Sequence, residues 1–216
     1  GRSSLSGNTT GANNVAVGLQ ALADNTTACC NTAVGYNSLV TNTTGANNVA
    51  VGFQALAANT TGCRNTAVGN QSSDANTTGQ CNVTMGHDSF STNTTGSDNV
   101  AIGADALYSS TTSSNNTAVG KSALALNTTG ANNTSVGRRA MEDNTTGASN
   151  TALGVNALES NTTAANNVSI GLSSMATNTT GTTNVAVGTN ALGSNTTADN
   201  NVAVGNASLY ANTTGC

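Results

Sequence analysis

The chain contains no proline and no tryptophan, a single histidine, and only 2% aromatic and 6% charged residues. So little aromatic bulk excludes the mixed core of an ordinary globular domain, and so little charge excludes a chain kept disordered by self-repulsion. Five basic and nine acidic side chains give a net charge of −4 with no basic stripe, so no nucleic acid partner is expected. No apolar run approaches the roughly 20 residues that cross a bilayer, and Gly1-Arg2-Ser3-Ser4 is not the start of a signal peptide. One histidine, His87, beside Asp88 and Ser89 in a variable stretch, does not make a triad, because catalysis needs titratable groups converging on a pocket. The chain is therefore read as a non-enzyme with no cofactor. Its aspartates lack the Gly-rich nonapeptide spacing of calcium-binding β-helices, and its cysteines lack a paired C-x-x-C arrangement, so no metal site is expected either.

What is present is a ruler. Asn and Thr supply 73 of the 216 residues, and the five residues Asn14-Val15-Ala16-Val17-Gly18 return in every one of twelve coils. The motif glycine stands at Gly18, Gly35, Gly52, Gly69, Gly86, Gly103, Gly120, Gly137, Gly154, Gly171, Gly188 and Gly205, always 17 residues apart. The unit reads N-[VT]-A-[VIL]-G-x-x-[AS]-L-x-x-N-T-T-G-x-x. A period this short does not accommodate the helix pairs of α-solenoids, so the sequence predicts an all-β parallel solenoid spanning residues 1–216 as one array. Each coil is expected to hold two short strands, one at Val15-Ala16-Val17 and one at Ala21-Leu22, separated by a turn, with Asn-Thr-Thr-Gly as the other turn. Gly1 already occupies the motif-glycine column and Cys216 stops short of the next motif glycine, so the chain is read as a segment of a longer array, prone to stack end to end through uncapped coils.

The columns assign the faces. The Val17 column is Val, Met, Ile or Leu throughout and the Leu22 column is apolar except at Ser73, so both are expected to point inward, with Val15 inward by parity. The Ala16 and Ala21 columns admit only Ala, Ser or Thr. A strict small-residue rule on what would then be the outer face predicts close self-association there. The invariant Asn14 column suits a coil corner, and Gly18 is expected to supply a positive φ. Variable pairs such as Leu19-Gln20, Tyr36-Asn37, His87-Asp88, Arg138-Arg139, Ala23-Asp24 and Glu142-Asp143 mark exposed turns.

Two further patterns carry site expectations. Cys63 and Cys81 are 18 residues apart, on neighbouring coils offset by one residue, within reach of a disulfide; Cys29, Cys30 and Cys216 have no such partner. Asn-Thr-Thr recurs at Asn8, Asn25, Asn42, Asn59, Asn76, Asn93, Asn127, Asn144, Asn161, Asn178, Asn195 and Asn212, each a candidate glycosylation acceptor, though turn chemistry alone accounts for the same residues. Only Ser110-Thr111-Thr112 lacks the Asn.

Asn-Val-Ala-Val-Gly at Asn14 and Asn-Val-Ala-Ile-Gly at Asn99, each followed by a small residue three positions after the glycine, resemble the head repeats of YadA-like trimeric autotransporter adhesins and the shaft repeats of phage and viral tail fibres. The resemblance implies a left-handed roll, association of three chains, and an adhesive or spacer rod on a cell or virion surface. This chain differs in carrying an added Asn-Thr-Thr turn per coil. The expected function is a self-associating structural fibre, extracellular or on a virion; the alternatives are an adhesin module recognising a receptor or glycan through its turns, and an ice-binding solenoid. Adjacent Thr-Thr side chains fall on opposite faces of a strand, which argues against the last.

Overall fold

A β-solenoid follows directly from the repeat. The computed structural model describes residues 1–215; Cys216 lies outside them. Twelve strands of three residues each, from β1 (Val15–Val17) through β5 (Val83–Met85) and β6 (Val100–Ile102) to β12 (Val202–Val204), form one parallel sheet in sequence order, one strand per coil. Each residue pairs with the one 17 positions later, as in Ala16 with Ala33 and Val100 with Thr117. Identical residues therefore stack into columns, and the backbone hydrogen bonds run from coil to coil, for example from the Val15 N–H to the Asn31 carbonyl (2.8 Å). With coils about 4.8 Å apart the rod is roughly 58 Å long.

The inner face is the reverse of the parity expected from sequence. Ala33, Ala50, Ala101, Ala118 and Ala186 are fully buried, while Val15, Val17, Met85 and Leu153 are exposed. In a three-residue strand the middle side chain opposes the outer two, and the lumen is too narrow for anything larger than Ala, Ser or Thr at that middle position. The small-residue rule is thus imposed from inside. Val15 and Val17 face outward, and the Ala16 and Ala21 columns are core, not an interface.

The second run is also not a strand. Leu22 has φ 52° and Gln20 φ 59°, and the same two columns repeat this in every coil. A left-handed residue after an ordinary one turns consecutive side chains to the same side, so Ala21 and Leu22 are both fully buried. Holding a leucine there costs on the order of 1–2 kcal/mol, which the roughly 1.5–3 kcal/mol from burying its side chain offsets. The glycine expectation is met: Gly18 has φ 134° and its column 122° to 143°, and a Cβ on Gly18 would run into the Gly35 carbonyl.

Two amide columns fill the rest of the lumen. Asn14 Oδ1 accepts the Asn31 backbone N–H (2.9 Å), and Asn31 Nδ2 reaches the Gly45 carbonyl (2.9 Å). From the other side Asn42 Nδ2 donates to Asn25 Oδ1 (3.0 Å) and to the same Gly45 carbonyl (2.9 Å). Both lone pairs of that oxygen are used, and the pattern recurs along the rod. Asn31, Asn48 and Asn99 are fully buried, so this column is interior and not merely a corner. Where Ser110 replaces the turn asparagine, Ser113 replaces the usual glycine; its hydroxyl bonds Ser110 and accepts from Asn116 Nδ2 (3.0 Å) and Asn127 Nδ2 (3.2 Å). The paired change restores the acceptor that Asn127 would otherwise lack.

The apolar half of the core is not continuous. One cluster runs from Ala21 to Ala67 and another from Phe90 to Ala203. Between them lie four buried hydroxyls: Ser72 Oγ is 2.8 Å from Thr84 Oγ1 and 2.9 Å from Ser89 Oγ, while Ser73 Oγ donates to Thr84 Oγ1 (3.0 Å). Ser73 is the one polar residue in the leucine column, and its neighbour there, Phe90, is the largest fully buried side chain.

Candidate functional surfaces

The rod has no pocket among the described residues, so its chemistry is displayed on surfaces. The broadest is the outer face of the sheet. Its two columns, begun by Val15 and Val17, hold only Val, Thr, Met, Ile and Leu over twelve strands without one charged residue. Strict register without an interruption makes the face regular, and the residues on its end strands, Val202 and Val204, are 68% and 69% exposed. This uncharged face, apolar but for Thr32, Thr66, Thr117, Thr134 and Thr151, is the candidate interaction surface.

The Asn-Thr-Thr turns behave differently from what a sequon suggests. From Asn25 to Asn195 the sequon asparagines are buried, and Nδ2 of each donates to a carbonyl three residues on, as in Asn59 to Gly62 (3.0 Å), and commonly also to the asparagine one coil earlier, as in Asn59 to Asn42 Oδ1 (2.8 Å). A glycan on that nitrogen would displace these bonds and has no space in the lumen, so Asn25, Asn42, Asn59, Asn76, Asn93, Asn127, Asn144, Asn161, Asn178 and Asn195 act as structural amides in the folded rod. Asn8 and Asn212, in the end coils, are half-buried and bond Gly11 and Gly215. The first threonine of the turn donates its hydroxyl to the next coil, Thr26 Oγ1 to the Thr43 carbonyl (3.0 Å). The second, at Thr27, Thr44 and Thr61, is exposed, so the turn displays a single threonine rank.

Cys63 and Cys81 are neighbours as the spacing requires, the Cys81 N–H bonding the Cys63 carbonyl (3.1 Å). Both are free thiols, and Cys63 Sγ points to Gln80 Oε1 (3.0 Å). Cys29 and Cys30 are also free; the hydrogen bond and charge of Cys30 push the Cys29 thiol above its ordinary value, the opposite of an activated nucleophile. Tyr36 and Phe53 stack with ring centroids 5.4 Å apart, one coil above the other on an exposed turn. Arg139 pairs with Glu142 and with Glu159 (3.1 Å), tying two coils at the surface. His87 and Asp88 lie at a turn, as expected, with Nδ1 to Oδ2 3.2 Å. The sequence reading did not bring Asp105 to them; the stacking of Asp88 on Asp105 at the 17-residue period was the available signal.

The carboxyls respond to pH with opposite signs. Burial raises the proton affinity of Asp74 and Asp143, with the charge of Asp88 adding at the first and that of Glu142 at the second. The Thr182 N–H and hydroxyl lower that of Asp199. A carboxyl that holds its proton more tightly when folded adds stability in acid, lost as pH rises through its folded value; Asp199 has the opposite sign. Replacing Asp74 by Asn should therefore raise the thermal midpoint followed by circular dichroism at pH 7, where the wild-type carboxyl must ionise, and change it less in acid. A variant no more stable than the wild type at pH 7 would show that burial of Asp74 does not oppose its charge.

Comparison with family models, curated proteins and solved structures gave no match. Among the described residues no helix is long and apolar enough to cross a membrane.

Proposed function

We propose that the chain is a structural rod: a fibre or filament shaft that acts as an adhesive or spacer element on a cell or virion surface and associates side by side with copies of itself. The observation that carries this reading is the uncharged outer sheet face, continuous over twelve strands, with no pocket among the described residues. A second copy is the occupant best matched to it, because a partner with the same 4.8 Å coil spacing stays in step along its whole length, and no charge opposes contact. Placement outside the cell or on a virion rests on the resemblance of the Asn14 and Asn99 motifs to adhesin heads and tail-fibre shafts, and so does the association of three chains. The self-association expected from the small columns is thereby moved to the Val15 and Val17 columns.

Lysine at Val51 and Val119, both on this face, tests the reading. Analytical ultracentrifugation of the wild type should show an assembly, and the double variant should sediment as single rods with its β-signal intact. A wild type that is a single rod at high concentration, or a variant of unchanged mass, would remove the proposal.

A further inference from the structure

The geometry points to a divalent transition-metal site at His87, Asp88 and Asp105. An imidazole nitrogen of His87 and one carboxylate oxygen from each aspartate all lie within 4.8 Å of one another. Zinc held by nitrogen and oxygen at about 2.0–2.2 Å needs its ligand atoms roughly 3.3 Å apart, so side-chain rotation alone closes the set. The backbone already fixes the three positions. Asp88 and Asp105 occupy the same left-handed column on successive coils, with φ 52° and 59°, and the Asp105 N–H donates to the His87 carbonyl (3.1 Å).

Negative charge gathers at the site. The coil register places Asp105 one coil above Asp88, so two carboxylates lie side by side next to the imidazole. Among the described residues no lysine or arginine pairs with either aspartate. A divalent ion would neutralise this excess, and the imidazole selects zinc, nickel or copper over calcium and magnesium, which prefer all-oxygen shells. The His87 and Asp88 side chains are 60% and 25% exposed, so water would complete the shell.

The site has a mechanical meaning. An ion shared by Asp88 and Asp105 clamps the turn after β5 to the turn after β6, next to the coil where Ser72, Ser73, Thr84 and Ser89 interrupt the apolar core. Binding there stabilises the folded rod by an amount that grows with the logarithm of the free ion concentration above its dissociation constant.

His87 is the only histidine, which makes its imidazole a direct reporter. Zinc chloride added to histidine-labelled protein with alkylated cysteines should shift the imidazole NMR signals saturably at one equivalent and raise the thermal midpoint relative to the protein in EDTA. Asp105→Asn should weaken both effects at least tenfold while leaving the circular dichroism spectrum unchanged. Imidazole signals that do not move, or that move equally in wild type and Asp105→Asn, would overturn the site, the latter showing zinc on a lone histidine.

Discussion

Leucine in place of Ala101 is expected to unfold or sharply destabilise the rod, although alanine to leucine is a mild change on most surfaces. Ala101 is the middle residue of β6 and fully buried, with Thr84 and Ala118 as its neighbours in the column. Three added carbons have no space in a lumen lined by Ala and Leu from the facing turn, and overpacking by that much costs about 3 kcal/mol, the upper end of the usual range. Val119, on the outer face of the next strand, is the control: Val119→Leu should shift stability by less than about 0.5 kcal/mol. Urea unfolding of the two variants separates them, and coincident midpoints would mean that the inner and outer faces of the sheet are wrongly assigned.

A comparable loss is expected from Asn133→Ala, and a clearly smaller one, at most about 1 kcal/mol, from the same change one residue earlier. Asn133 is buried; its Oδ1 accepts the Asn150 N–H (2.9 Å) and Nδ2 (3.2 Å), and its Nδ2 donates to the Gly147 carbonyl (2.9 Å). Alanine strands a buried donor and halves the satisfaction of a buried carbonyl, each worth about 1–3 kcal/mol, so a loss on the order of 3 kcal/mol follows. Asn132 is exposed, and its replacement removes only the modest preference of asparagine for the left-handed backbone at φ 61°. Equal denaturation curves for Asn132→Ala and Asn133→Ala would show that the interior amides contribute nothing.

These two contrasts also mark where the sequence was readable. The period, the register of Val15 on Thr32, the positive φ of Gly18 and the burial of Leu22 all follow from strict columns, because stacking in step makes each column a single environment. Parity did not follow. A strand of three residues with Val at both ends and Ala between is apolar on both sides, and hydrophobicity alone favours the larger side chains as core. Only the width of the lumen decides for Ala16, and that width is set by the Leu22 turn, whose left-handed backbone does not appear in an apolar pattern. The asparagines were misplaced for a related reason: Asn25 reads as a surface turn residue, yet a carbonyl such as Gly45 oxygen needs two donors inside the coil, which Asn31 and Asn42 supply. The cluster of His87, Asp88 and Asp105 joins residues from two coils and becomes visible only when the period is used to stack them.

The four hydroxyls between the two apolar clusters give the rod a preferred breaking point. Elsewhere, separating two coils exposes mainly Leu, Met and Ala to water, with buried serines on no more than one side of each joint, as at Ser38 and Ser135, a loss that grows with every square ångström uncovered. Between Ser73 and Thr84 four of the uncovered groups are hydroxyls that water can bond as well as their present partners do, and Phe90 is the large apolar side chain left facing them. Pulled along its axis, the rod is therefore expected to yield first at this joint, between the coil of Ser73 and the coil of Thr84, while the coils on either side remain wound.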